Sequence, residues 1–177
     1  MHFKLTPYTV VIMRFILFAF ALLIAPLSLA QSETPSSPLQ TGDAFPSLQL
    51  PDAFGNAYQL PYPGVRHVLF SADMDANDLM EQSFGELDKG DFTAAGLVYV
   101  ADISGMPSLV ARLFALPSLR DYPFRVLLAR DAEPLAMLPR KESAVSVISL
   151  SADGRVEKID FTQDATELAG LLITSTP

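Results

Sequence analysis

Residues 73–81 read Asp-Met-Asp-Ala-Asn-Asp-Leu-Met-Glu, and four of the nine are carboxylates. Oxygen ligands at alternate positions can converge on a hard cation, and Asp73-x-Asp75-x-Asn77 matches the first three ligand slots of a calcium loop. The match then fails twice. Asp78 stands where that loop needs glycine, and Phe84 where it needs a bidentate glutamate. The same residues suit a helix start, whose first turn leaves amide donors unpaired and carries the positive end of the helix dipole. Asp75 or Asn77 is expected to cap that helix, with Asp75 and Asp78 doing no chemistry. The alternative is a metal site or an acid–base centre at Asp73, Asp75 and Asp78.

Composition removes several chemistries. The chain has no cysteine, so a thiol nucleophile, a disulfide, a Cys-ligated zinc and an iron–sulfur cluster are all out of reach. Beyond residue 30, His67 is the only histidine, and no Gly-x-Ser-x-Gly elbow exists to pair with it. Neither a Gly-x-Gly-x-x-Gly nor a P-loop is present, and no cofactor is expected. Arg112, Arg120, Arg125 and Arg130 cluster in sequence with Asp121 and Asp131. Salt bridges are the expected outcome, and an anion pocket is the alternative.

Residues 1–30 read as a signal peptide. Lys4 and Arg14 precede a short apolar run, 15–24, then Pro26 and the small-residue site Ser28-Leu-Ala30. Cleavage before Gln31 and residence in a bacterial periplasm are expected, with an uncleaved anchor as the alternative and Met13 as a second possible start. Removing the leader takes away Lys4 and Arg14 and moves the net charge from −8 to about −10. That charge repels nucleic-acid phosphates and anionic lipid. No nucleic-acid partner and no stable membrane association after cleavage are expected.

The elements that must position the acidic stretch follow from pattern. Residues 31–41 are Ser/Pro-rich and read as a flexible tail, leaving 42–177 as one domain. Two short alternating segments, 48–50 and 58–60, flank a Gly-containing turn and read as a hairpin. The unbroken apolar runs 67–70 and 97–101 read as strands buried on both faces. Between them, Leu79, Met80, Phe84 and Leu87 fall at helical spacing over 77–87. A second helix starts at 104–107, with Met106, Val110, Leu113 and Phe114 sharing one face. Strands are expected at 124–129, 144–150 and 155–161, the last two joined by the Ser-Ala-Asp-Gly turn at 151–154. A closing helix, 164–173, is capped by Thr162 or Asp164 and turns Leu168, Leu171 and Leu172 inward. Alternating strands and helices build a parallel core, and the final hairpin adds an antiparallel edge. The expected class is α/β: three layers, a mixed, mostly parallel sheet, then a C-terminal hairpin and helix.

The opening "GDAFPSLQLPDAFGNAYQL" resembles thioredoxin-like proteins of the peroxiredoxin and TlpA sort. "ESAVSVISLSADGRVEKIDF", with "SGMPSLVARL" and "LRDYPFRVLLARD", is similar to the small periplasmic YtfJ-type proteins, which are thioredoxin-like and have no assigned function. In redox-active members a Cys-x-x-Cys opens the helix after the first core strand. Counted from Phe70, its slots fall on Asp75 and Asp78, and the family's active-site proline falls near Ala144 or Val145. Thiol–disulfide exchange needs a thiolate, which aspartate cannot supply. The resemblance therefore implies the scaffold without its redox chemistry. The expected role is a non-redox binding or accessory module, its partner another periplasmic protein or peptide; Met106, Tyr122 and Phe124 suit a partner-facing surface, with core packing an equal reading of the aromatics.

Overall fold

A computed structural model describes residues 37–88 and 90–174. The leader, and the tail before residue 37, lie outside the described residues. The fold begins earlier than residue 42, inside the segment expected to be a tail. Leu39 is buried there, and its amide donates to the Met137 carbonyl at 2.9 Å.

β1 (Leu48–Pro51) and β2 (Ala57–Leu60) pair as an antiparallel hairpin. The main sheet holds β3 (His67–Ser71), β4 (Leu97–Asp102), β5 (Val126–Ala129), β6 (Val145–Leu150) and β7 (Val156–Thr162), in the order β5-β4-β3-β6-β7. β3, β4 and β5 run parallel, with His67 opposite Leu97 and Tyr99 opposite Val126. β6 runs antiparallel to β3 and β7 to β6. The turn between β6 and β7 closes on Gly154, whose φ of +78° suits a residue without Cβ.

Side chains alternate across this sheet and divide the core in two. Leu69, Tyr99, Leu128 and Val147 face one layer; Val68, Phe70, Val100, Leu127 and Ile148 face the other. The first layer is covered by α1 (Met74–Phe84), α2 (Asp91–Ala94), α4 (Leu116–Asp121) and α5 (Ala165–Thr174). The second is covered by the β1–β2 hairpin, Leu39 and the 3₁₀ turn Glu133–Leu135. Phe124 stacks on Phe92 at 4.2 Å between ring centroids, and Phe84 meets Phe92 edge-on at 5.1 Å. Such ring pairs add about 0.5–1.5 kcal/mol each beyond their buried area. Phe124 is thus a core residue, which is the second of the two readings its sequence context allowed. In α5, Asp164 Oδ1 accepts from the Thr166 amide, and Leu168 is fully buried.

The second helix departs from expectation. It runs as α3 (Ser108–Val110), a π-helical stretch (Ala111–Ala115), then α4. The extra residue per turn shifts the phase of everything after it. Ala111, Leu116 and Leu119 take the inward positions. Leu109, Val110, Leu113 and Phe114 are exposed, Phe114 by 69%. Of the four residues expected to share a face, Met106 packs against the core while Val110, Leu113 and Phe114 are exposed.

Candidate functional site

α1 starts earlier than expected, and its cap is a different aspartate. Asp73 is extended, with φ −149° and ψ 175°, and its Oδ1 accepts from the Ala76 amide at 2.9 Å. Neither Asp75 nor Asn77 caps the helix. Both lie inside it, because the backbone turns helical at Met74. Asp78 is exposed on the same helix.

The second oxygen of Asp73 reaches the far side of the site. Asp73 Oδ2 accepts from the Ser143 amide at 2.9 Å, and the Ser143 hydroxyl donates to Asp75 Oδ2 at 2.7 Å. Ser143 adopts φ +54°, a left-handed conformation uncommon for a residue with a side chain. Sequence reasoning missed Ser143, since nothing local marks a serine as left-handed. Two aspartates at the helix start thereby hold the turn that leads into β6.

Beneath them runs a buried polar chain. Ser71 Oγ and the Tyr99 hydroxyl are 2.6 Å apart. The Tyr99 hydroxyl donates to Asn77 Oδ1 at 2.9 Å, and Asn77 Nδ2 donates to the Tyr122 hydroxyl at 3.2 Å. Burial pushes the Tyr99 phenol well above its usual range, with Tyr122, Asp73 and Asp78 adding to the rise against the Ser71 hydrogen bond. Burial, with Glu81 and Asp78, pushes Tyr122 up to about 12 despite its bond from Asn77. Asn77, a candidate cap in sequence, instead joins α1 to the sheet and to Tyr122.

A cavity of about 590 Å³ opens at the carboxyl ends of β3 and β4. Parallel strands commonly present ligand sites at that end. Met74, Ile103, Met106, Val110 and Phe114 give it apolar walls. Much of its polar lining is already engaged. Arg140 Nη1 donates to Asp102 Oδ2 at 3.2 Å, and Arg140 Nη2 to the Leu135 carbonyl at 3.1 Å. Asp102 Oδ1 accepts from the amide and the hydroxyl of Ser104 at 3.0 and 2.6 Å. What remains for a guest is chiefly apolar surface.

The sequence-derived acidic residues are thus partly brought together: Asp73 and Asp75 share Ser143. Among the described residues no three His, Asp or Glu side chains gather as metal ligands. His67 is half-buried, and its Nδ1 lies 3.0 Å from Ser149 Oγ. Burial and the neighbouring Arg66 lower its pKa against a smaller opposing effect of Glu157. Among the described residues, ion pairs form at Arg140–Asp102, Arg155–Asp153 and Lys158–Asp160. The salt bridges expected for Arg112, Arg120, Arg125 and Arg130 are not among them. Arg120 and Arg125 lie over aromatic rings instead.

No family profile and no curated relative matches the chain. Solved structures do. The peroxidoxin BcpB of Mycobacterium tuberculosis is similar at 15% identity over 77% of this chain and 96% of that one, with a TM-score of 0.53. A putative protein disulfide isomerase from Bacteroides thetaiotaomicron is similar at 16% identity over 77% of this chain and 87% of that one, TM-score 0.52. The thioredoxin domain of a thiol-disulfide oxidoreductase from Bacteroides vulgatus is similar at 15% identity, 77% and 97% coverage and TM-score 0.50. The fold is thioredoxin-like. At these identities the likeness establishes architecture alone. On that architecture this chain carries no cysteine, and aspartates occupy the start of the first core helix.

Proposed function

We propose that this chain is a binding module without thiol chemistry, whose cavity receives an apolar side chain of another polypeptide. The observation that carries the reading is the apolar cavity at the ends of β3 and β4, continuous in composition with exposed apolar residues beside it. Met74 is 56% exposed, Val110 43% and Phe114 69%, and all three line the cavity. Burying such side chains is favourable by about 25 cal/mol per Å². Exposed apolar side chains around a concave apolar pocket are the arrangement a protein-binding groove uses.

Charge narrows the partner. Asp75 and Asp78 are exposed on α1 beside Met74, while the cationic Arg140 is already paired with Asp102. A guest with a basic residue next to its apolar anchor suits that rim. The leader-like residues 1–30 support export, which would make the partner a periplasmic protein or peptide. The closer likeness to YtfJ-type proteins rests on the quoted segments and adds no activity to this reading.

The test is selection of peptides from a random display library on the immobilised chain, followed by affinity measurement on wild type and Met74→Asp. The expected result is a set sharing one large apolar residue flanked by Lys or Arg, weakened at least tenfold by the substitution. Peptides without that pattern, or bound equally by Met74→Asp, would overturn the reading.

A further inference from the structure

We propose that a second site, the cleft between the β1–β2 hairpin and the α4–β5 connection, binds a small phosphate monoester. The cleft measures about 330 Å³ and is flanked by two exposed arginines, Arg120 and Arg125. Arg120 Nε donates to the Ala53 carbonyl at 2.8 Å, and its guanidinium lies 5.7 Å from the centre of the Phe54 ring. The Arg125 guanidinium lies 4.0 Å over Tyr58.

In a chain with 20 acidic and 12 basic residues, carboxylate partners are plentiful, yet neither arginine takes one among the described residues. Ring faces hold the guanidinium planes while leaving most N–H donors unused. Among the described residues lining the cleft the single carboxylate is Asp52, and it is turned to the hairpin. Asp52 Oδ1 accepts from the Phe54 and Asn56 amides at 2.9 Å each, and Oδ2 from Asn56 Nδ2 at 3.1 Å. Two available guanidiniums therefore face a cleft whose own anion is already satisfied.

Two fixed positive charges match a dianionic phosphoryl group, which each guanidinium can grip through two parallel N–H donors. The volume exceeds that of a bare ion and sits at the lower end of the range for small-molecule pockets. The apolar Leu119 and Phe124 in the lining suit a ligand with an organic body.

The experiment is a titration of the folded chain with phenyl phosphate, inorganic phosphate and benzoate, followed by amide chemical shifts. The expected result is saturable shifts at Gly90, Thr93, Arg120 and Val126, with phenyl phosphate bound at least tenfold more tightly than benzoate. Arg125→Gln should weaken phenyl phosphate at least tenfold. Arg125→Lys, which keeps the charge but loses the planar fork, should give an intermediate loss and keeps the test decisive if the glutamine variant fails to fold. Absence of saturation, equal binding of benzoate, or unchanged affinity in either arginine variant would overturn the proposal.

Discussion

Ser143 and Asp73, seventy residues apart, are joined by a 2.9 Å hydrogen bond from backbone amide to carboxylate. The same carboxylate caps α1 through the Ala76 amide. One side chain therefore satisfies the helix start and the turn before β6 together. Asp73→Ala removes both and leaves the Ser143 amide without its partner. The expected destabilisation is about 2–3 kcal/mol, combining a lost cap with an unsatisfied donor. Asp73→Asn should cost less, since its Oδ1 still caps. Asp75→Asn should stay within about 0.5 kcal/mol, as an exposed position with one exposed hydrogen bond. Urea melts of the three variants check this ordering. Calcium should leave the wild-type melt unchanged; a rise in Tm at micromolar calcium would favour a metal site at Asp73, Asp75 and Asp78 instead.

Ser143 offers a second check. Its left-handed backbone favours glycine and resists β-branching. Ser143→Gly relieves the backbone but loses the hydroxyl bond to Asp75, so the expected change is small, within about 0.5 kcal/mol. Ser143→Val should destabilise by about 1–3 kcal/mol. Equal losses in thermal melts of the two would contradict the left-handed assignment.

Tyr99 lies at the centre of the buried polar chain. Tyr99→Phe strands both Ser71 Oγ and Asn77 Oδ1, and should cost about 1–3 kcal/mol at neutral pH. The phenol also gives a pH signature. Its folded pKa is raised, so its contribution is complete below the unfolded value near 10 and is lost as pH climbs from there toward the folded value. Tyr122, raised to about 12, acts in the same direction and window. The wild-type Tm should fall between about pH 10 and 12, and Tyr99→Phe should flatten that fall.

His67 makes the opposite prediction on the acid side. Its folded pKa is depressed, so its stabilising contribution is present above the unfolded value near 6.5 and is lost as pH falls through the folded value. His67→Gln should reduce the loss of Tm as pH falls below about 6.5. An unchanged slope in that window would exclude burial of the imidazole as its cause.

The strands and their order were legible because each follows a local rule. His67 to Phe70 and Leu97 to Ala101 are apolar on both faces and pair in parallel register. The Ser-Ala-Asp-Gly turn lies where its glycine requires it. The site was less legible because its contacts are long-range. Capping passed to Asp73 because the chain turns helical at Met74, a choice fixed partly by Ser143 across the sheet. Val110, Leu113 and Phe114 fit one α-helical face by spacing, but the π-helical stretch that begins at Ala111 is not marked by that spacing. Val110 and Phe114 rim the cavity. The arginines take aromatic faces of a hairpin more than sixty residues away in sequence, which spacing to Asp121 and Asp131 does not reveal.

The central claim is that a polypeptide's apolar side chain enters the cavity at the ends of β3 and β4. The most direct measurement is a methyl-detected titration of the chain with a library-selected peptide, with methionine, isoleucine and valine methyls labelled. The account predicts saturable shifts at Met74, Met106, Ile103 and Val110, which line the cavity. It predicts little change at Met137, which packs on the opposite layer of the sheet. Saturable binding that leaves the four cavity methyls unmoved would contradict it.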